Sequence, residues 1–600
     1  MSLSKSVIHP SLTGPSLPSG SPTKSFGQQP PSHEDTAGLI AESQRPGTSG
    51  SEVVASFTSS KGKENQYRLS QVAPRREKGK EIVREEEPWD AKNILSFDGG
   101  GIRGLYSLLI LKLLMNNVRY IEEIYVDGTG ASARASSSFH PAKEPLYVSH
   151  SPQPSQDDEQ EQRSHGNFLP CHYFDYICGT STGGLIAIML GRLRMNVEDC
   201  ITEYQQLAGG VFGNPRTFHQ TFLPTFWMNR PKYDAANLEA IIKRVVSRRG
   251  ETSTDDVERY FHTGQGMCRT FVFAYKKAGH DDNQRSGTEF EKPYIFRSYD
   301  HFPRTKNGSD ISNRLRNPGS ASSYPLWMIA RATTAAPLYF APMQVSLSDE
   351  SPEPSKFPFK RILTGLAPPK PSPTTSRPVT FIDGGFGPAN NPSKEAFHEV
   401  TLSNERIGTL VSIGTGRGSA DKFHTRLLKF VKNGISAVGD PLPADQSMKF
   451  ESKRKDHEFG YFRFNEHNGL PDLDFDEWRP KASGNRTQTK IREAFHRWSV
   501  DPKVTDAIRL CAIELVERRR LRTADESRWE RYATKSYFDC KEDQCTEASD
   551  KRWYARDEFR DHLRREHRCM EEEDNLEEII QRHRTAWRYK PPQAGNGGIN

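Results

Sequence analysis

Cysteine is scarce in this chain of 600 residues, with eight in all, too few for a disulfide scaffold and suited to a reducing compartment. Long apolar runs are also missing: the longest, Leu105–Met115 with Lys112 inside it and Leu185–Leu190, fall short of the about 20 residues that cross a bilayer. No apolar stretch follows Met1-Ser2-Leu3-Ser4-Lys5, so no secretory signal is read there and a cytoplasmic location is expected. Charge of one sign is lacking as well. The 83 Lys and Arg face 77 Asp and Glu, a net charge of +6, and this balance does not mark a nucleic-acid binder. Apolar residues make up only 34% of the chain, against roughly 45–50% in a compact globular protein. Part of the chain is therefore expected to have no core.

That deficit has a location. Ser, Pro and Gly fill 28 of the first 60 positions, and such a composition buries too little apolar surface to offset chain entropy. Residues 1–90 are read as a disordered tail. Two further polar stretches, 128–168 with Asp157-Asp158-Glu159 and 345–378 with eight prolines, read as surface insertions. Outside these stretches short apolar strands alternate with helical patterns: strands at Ile94–Phe97, Tyr173–Cys178, Phe271–Ala274, Tyr294–Phe296, Val379–Ile382 and Thr409–Ile413, and helices at Leu105–Met115, Leu185–Leu193 and Leu326–Thr334. Alternation of this kind predicts an α/β fold, a sheet covered by helices. Beyond about residue 421 a mostly helical extension to 535 is expected, with Val504, Ile508, Cys511, Ala512 and Leu515 on one buried helix face.

Three segments carry chemistry. The strand ending at Cys178 runs into Gly179-Thr180-Ser181-Thr182-Gly183-Gly184 and then an apolar helix, the G-x-S-x-G arrangement that presents a serine Oγ on a sharp strand-to-helix turn. An earlier strand runs into Asp98-Gly99-Gly100-Gly101-Ile102-Arg103-Gly104, a turn whose backbone N–H groups and following helix N-terminus can hold an anion. Two anions fit it. One is a dinucleotide pyrophosphate, since Gly99, Gly101 and Gly104 satisfy G-x-G-x-x-G and Asp127 stands where a ribose-binding acid belongs. The other is the oxyanion formed when Ser181 attacks an ester; Asp98 at the mouth of the turn argues against the pyrophosphate. The third segment, Phe381-Ile382-Asp383-Gly384-Gly385, places a carboxylate at a strand end, where it can take the serine proton or orient a histidine such as His398, His172, His219 or His301.

Taken in order, these three segments resemble the signatures of the patatin-like phospholipases, and Ala330-Arg331-Ala332-Thr333-Thr334-Ala335-Ala336-Pro337 and Ser412-Ile413-Gly414-Thr415-Gly416 are similar to further segments of that family. The likeness runs over residues 92–420 and is greatest to fungal multidomain members. The resemblance implies a three-layer patatin-like sheet flanked by helices and a lipid acyl hydrolase that needs no cofactor and no calcium. It implies Ser181 as nucleophile within the elbow of Gly179, Thr180, Thr182 and Gly183, and Asp383 as base, followed by Gly384 and Gly385. It implies an oxyanion hole built from Gly99, Gly100, Gly101, Ile102, Arg103 and Gly104. The implied partners are phospholipid or related ester substrates at a membrane surface. Asp472, Asp474 and Asp476 alternate as in a calcium loop, but Glu477 occupies the position that needs glycine, so a solvated strand is expected there.

The aromatic segment Phe212, Phe218, Phe222, Leu223, Phe226, Trp227 and Met228 is read as acyl-pocket lining, lipid-surface lid or core packing. Arg518-Arg519-Arg520 with Arg522 is read as a solvated helix end or an anionic head-group contact. In 536–570, Cys540, Cys545, Trp553, Phe559, His562 and His567 follow a pattern resembling a two-Cys, two-His zinc finger, with Cys569 as a substitute ligand. The last stretch, 571–600, reads as a charged tail. A zinc-finger regulator with an inert hydrolase domain, and nucleic acid as its partner, is the alternative reading.

Overall fold

Side-chain alternation within the strands sets the architecture. In the computed structural model, β1 (Ala91–Phe97) and β2 (Tyr176–Thr180) are buried along nearly their whole length. Leu95, Phe97 and Ile177 belong to one apolar cluster and Ile94, Tyr176 and Cys178 to another. Successive side chains of a strand leave by opposite faces, so the two clusters lie on the two sides of one sheet and the fold has three layers. The structure describes residues 87–124, 135, 137–139, 168–216, 231–249, 260–277, 290–302, 316–322, 324–346, 378–386, 388–416, 442–454, 458–466, 470, 473–542, 545, 551–569 and 573–586. Most of the expected tail and insertions, together with Asp127, His219, Asp472 and the aromatic residues from Phe218 to Met228, lie outside them.

The main sheet also contains β3 (Arg269–Lys277), β4 (Phe290–Arg297), β5 (Met343–Ser346), β6 (Pro378–Asp383), β7 (Arg406–Ile413) and β8 (Gly460–Phe464), in the order β5-β6-β3-β2-β1-β7-β8, with β4 on β3. Its centre is parallel: β2 and β7 flank β1, β3 follows β2, and β8 follows β7. β6 runs antiparallel to β3 and pairs Asp383 with Ala274, while β2 pairs Thr180 with Phe273. Asp383 therefore comes level with the end of β2 although its strand runs the other way. The strands read from apolar runs are all present, though the one expected from Tyr173 begins only at Tyr176, after a turn; β5 and β8 carry no sustained apolar run that would mark them. β8 joins the sheet beyond residue 420, the expected domain edge.

Helices cover both faces: α1 (Gly104–Ile124), α2 (Thr182–Ala187), α3 (Val197–Phe212), α4 (Ala235–Arg249), α5 (Leu326–Thr333), α6 (Ser393–Leu402), α7 (Leu442–Glu451), α8 (Asn485–Ser499), α9 (Pro502–Arg522) and α10 (Glu526–Thr534). Ala396, Phe397 and Val400 of α6 and Met448 of α7 close one face. The longer helices α1, α8 and α9 close the other, with Ile508, Cys511, Ala512 and Leu515 buried as their spacing predicts. The arginine run of α9 is neither a solvated end nor a head-group patch. Arg519 Nε and Arg520 Nε lie 2.6 and 2.9 Å from the buried Glu122 of α1, and Arg522 lies 2.8 Å from Asp175. Ion pairs buried this way fasten the extension to the sheet domain, because removing one partner strands a charge away from water.

A smaller three-stranded sheet, β9 (Tyr537–Asp539), β10 (Arg552–Trp553) and β11 (Arg584–Thr585), packs with α11 (Arg556–Glu566) and α12 (Glu573–His583). Its core is Phe538, Trp553, Phe559, Leu563, Leu576 and Ile580. The stretch read as a charged tail thus supplies a helix and a strand, since Leu576 and Ile580, four apart, give it an apolar stripe.

Candidate active site

Ser181 sits between β2 and α2 at φ 56°, ψ −126°, a backbone region costly to an L-residue and tolerated where surrounding structure fixes it. What fixes it is close packing. A Cβ at Gly183 would lie 2.5 Å from the Asp98 carbonyl oxygen and 2.6 Å from that of Phe97, so only glycine lets the elbow abut the end of β1. The Ser181 N–H donates to Thr333 Oγ1 at 3.0 Å, and that hydroxyl donates to the Phe273 carbonyl at 2.7 Å. Thr180 Oγ1 donates to the Ala389 carbonyl at 2.6 Å.

Ser181 Oγ donates to Asp383 Oδ2 at 2.5 Å. Asp383 is 2% exposed. Its other oxygen, Oδ1, accepts the Gly385 N–H at 2.7 Å, and its own N–H donates to the Ala335 carbonyl at 3.1 Å. Burial pushes its carboxyl up to about 7 from an ordinary 3.8, against the opposing pull of the Ser181 hydrogen bond, the Gly385 N–H and the Arg331 charge. A carboxylate poised there can accept a proton near neutral pH.

The glycine turn lies against this pair, with the position of a Cβ on Gly99 only 3.2 Å from Ser181 Cβ. Its amides are differently employed. Gly99 N–H donates to the Asn390 carbonyl at 3.1 Å, Gly100 N–H to Thr182 Oγ1 at 3.3 Å, Ile102 N–H to the Phe475 carbonyl at 2.7 Å and Arg103 N–H to the Gly100 carbonyl at 3.2 Å. Among the described residues the Gly101 N–H has no acceptor. Gly101 has φ +56°, and a side chain there would overlap the Phe475 carbonyl. Its own carbonyl accepts from the Tyr204 hydroxyl.

Several expected residues stand elsewhere. His172 is buried before β2, where Ser138 Oγ lies 2.7 Å from its Nδ1 and Ala533 O 3.1 Å from its Nε2; burial pushes its imidazole well below its ordinary range. His301 meets Ser403 and Glu399, and His398 lies on α6. The partner of Ser181 Oγ is Asp383. Asp98 does not separate the two anions as expected, because Arg463 of β8 holds it through contacts of 2.6 and 2.8 Å. The residues at 473–478 form a turn rather than a solvated strand, with Asp476 bound to Tyr233. Of the aromatic segment, the described Phe212 is core, packed on Tyr233 at 5.4 Å. Sequence reasoning gave no role to Thr333, Asn390, Arg463 or Phe475; Thr333 alone had a signal, within Ala332-Thr333-Thr334-Ala335.

In the small module, Cys540, Cys545, His562 and His567 bring one ligand atom each within 4.8 Å of the others. Cys540 Sγ is 3.3 Å from His567 Nε2, and Cys545 Sγ is 3.7 Å from His562 Nε2. Cys569 is not among them. No helix among the described residues is long and apolar enough to cross a membrane.

Residues 162–397 match the family described as patatin-like phospholipase. That range contains Ser181 and Asp383; the glycine turn precedes it. Calcium-independent phospholipase A2-gamma of Rattus norvegicus is 28% identical over 302 residues, 47% of this chain and 31% of that protein. The Homo sapiens protein of that name is 28% identical over 274 residues, 45% and 27% of the two chains. Patatin-like phospholipase 1 of Plasmodium falciparum is 24% identical over 339 residues, 54% and 35%. The matches thus span about a third of these relatives' length. A likeness to the crystal structure of VipD from Legionella pneumophila, TM-score 0.22 at 10% identity over 68% of this chain and 67% of that one, carries no argument. This chain carries a patatin-like phospholipase domain.

Proposed function

We propose that the protein is a calcium-independent lipid acyl hydrolase, a serine carboxylic ester hydrolase cleaving fatty acyl esters of phospholipids or related lipids with a Ser181–Asp383 dyad. The observation that carries this reading is the 2.5 Å hydrogen bond from Ser181 Oγ to a buried carboxylate pushed up to about 7. Ser181 Oγ attacks the ester carbonyl carbon while its proton passes to Asp383 Oδ2. The carbonyl oxygen becomes an oxyanion that the free Gly101 N–H receives, with the long-bonded Gly100 N–H beside it. Collapse of the intermediate breaks the bond to the alcohol, which leaves with the proton from Asp383. Water then attacks the acyl-serine carbonyl carbon as Asp383 takes its proton, and collapse breaks the bond to Ser181 Oγ, which regains that proton from Asp383 as the fatty acid leaves. Oriented amides at an oxyanion are worth about 100–1,000-fold in rate each. The names of the relatives, calcium-independent phospholipase A2 among them, support the lipid ester as substrate, taken from a membrane surface that the protein meets peripherally.

A fluorophosphonate probe demands a reactive serine. It is expected to label Ser181 in the parent protein and not in Ser181→Ala, with phospholipid hydrolysis in chelator lost in parallel. An unlabelled Ser181 with hydrolysis intact would overturn the dyad.

The small module supports a structural zinc ion. Tetrahedral zinc, with bonds of about 2.3 Å to sulfur and 2.0–2.1 Å to nitrogen, sets its sulfur and nitrogen ligands about 3.6 Å apart, and the observed 3.3 and 3.7 Å bracket that value. Cys540, Cys545, His562 and His567 would hold the ion and tie α11 to the turn after β9.

A further inference from the structure

We infer that the turn at residues 473–478, far beyond the family match, is a positioning element of the catalytic site: it clamps the glycine turn in the geometry that aims its free amide. This rests on the dyad reading above.

The clamp has three contacts. The Phe475 carbonyl accepts the Ile102 N–H at 2.7 Å, which withdraws that amide from the site and fixes the plane of the peptide next to Gly101. The Phe475 ring lies 4.0 Å beneath the Arg103 guanidinium. Arg103 is buried and its Nε has no hydrogen-bond partner, so the ring's π face and the nearby Asp474 charge are what offset its desolvation. On the far side of the turn, Asp476 accepts from the Tyr233 hydroxyl at 2.7 Å and pairs with Lys232. The backbone amides of those two residues donate to Leu338 and Tyr339 at 2.9 Å each, in the segment that follows the α5 threonines. Trp478 anchors the end of the turn, since a Cβ at Gly209 of α3 would lie 3.3 Å from its ring.

The consequence is specific. A glycine at φ +56° is free to rotate its peptide unless something holds it, and the amide left open for the oxyanion is the one on Gly101. That N–H shares its peptide with the Gly100 carbonyl, which accepts the Arg103 N–H at 3.2 Å, and the next peptide is held by Tyr204 at the Gly101 carbonyl and by Phe475 at the Ile102 N–H. Removing the Phe475 ring frees Arg103, whose N–H holds the Gly100 carbonyl, and slackens the turn that carries the Phe475 carbonyl, which misaims the donor in the transition state and leaves ground-state binding of the lipid unchanged.

The test uses the full chain with Phe475→Ala and Asp476→Asn, and Phe475→Tyr as the variant that restores the ring. In Phe475→Ala, kcat on phosphatidylcholine vesicles is expected to fall roughly 10- to 100-fold, the scale of a misplaced catalytic contact, with KM within about twofold and the pH midpoint of the rate unmoved. A fatty acyl trifluoromethyl ketone, whose hemiketal needs the oxyanion donor, should weaken by the same factor, and the corresponding alcohol should not. Phe475→Tyr should recover most of kcat, and Asp476→Asn should lose less than Phe475→Ala. Unchanged kcat in Phe475→Ala, or a raised KM at unchanged kcat, would overturn the clamp. Should Phe475→Ala not fold, Asp476→Asn with unchanged kcat overturns it alone. Failure of the dyad reading shows separately, as absence of labelling at Ser181 in the parent protein.

Discussion

Replacing Asp383 by asparagine separates what the buried carboxylate does for catalysis from what it does to stability. The side chain is 2% exposed, and its pKa of about 7 stands above an unfolded value near 3.8. A carboxyl whose folded pKa is raised binds its proton more tightly when folded, so its stabilising share is complete below about pH 4 and is lost as pH rises through about 7. At pH 8 the folded protein holds an ionised carboxylate out of water, at a cost of about 4 kcal/mol, three units at roughly 1.4 kcal/mol each. At pH 5 the same arithmetic gives about 2 kcal/mol, and near pH 3 almost nothing. Asparagine has no proton to lose and fits the site, its carbonyl still accepting from Gly385 and its amide turned toward Ser181. Asp383→Asn is therefore expected to be more stable than the parent at pH 8, by a margin that roughly halves at pH 5, while hydrolysis falls about 100- to 10,000-fold with the loss of the base. Denaturant unfolding followed by tryptophan fluorescence at the two pH values reads the first effect, and release of fatty acid from vesicles the second. A variant less stable than the parent at pH 8, or a difference that does not change with pH, would refute the buried ionised carboxylate.

The remaining predictions concern supporting residues. Thr333→Val removes the acceptor of the Ser181 N–H and the donor to Phe273 at near-constant volume; activity should fall at least tenfold, with stability down by about 1–3 kcal/mol from the unpaired buried groups. Glu122→Ala strands Arg519, 3% exposed, and should cost about 3–5 kcal/mol in unfolding experiments, far more than a surface pair would. The purified chain should contain about one zinc per molecule by metal analysis, lost in Cys540→Ser, with faster proteolysis between 540 and 567 after chelation.

Much of this site was legible because its parts are local. A strand, a glycine-flanked serine and an apolar helix make an elbow wherever they occur in sequence, and Gly101 at positive φ is what a run of three glycines advertises. Strand positions were readable for the same reason, as buried parallel strands are continuous apolar runs. The clamp was not legible. Asp474-Phe475-Asp476 reads as a solvated stretch because a backbone carbonyl that accepts an N–H from another segment leaves no mark on residue type. The arginines of α9 misled in the same way, since a charged run looks solvated until its buried partner, Glu122, is seen.

The division follows from the range of the interactions. By itself the sequence determined the α/β alternation, the serine elbow, the glycine turn and the candidate aspartate, each encoded in a few adjacent residues. Only the tertiary structure decided that β6 runs antiparallel and still brings Asp383 level with Ser181, and that the acid rather than any histidine meets the hydroxyl. It decided too that Arg463 of β8 and Phe475 of the turn at 473–478 meet the glycine turn, which lies some 370 residues earlier in the chain. Such pairings depend on register between strands distant in the chain, and register is set by the packing of whole layers rather than by any local motif.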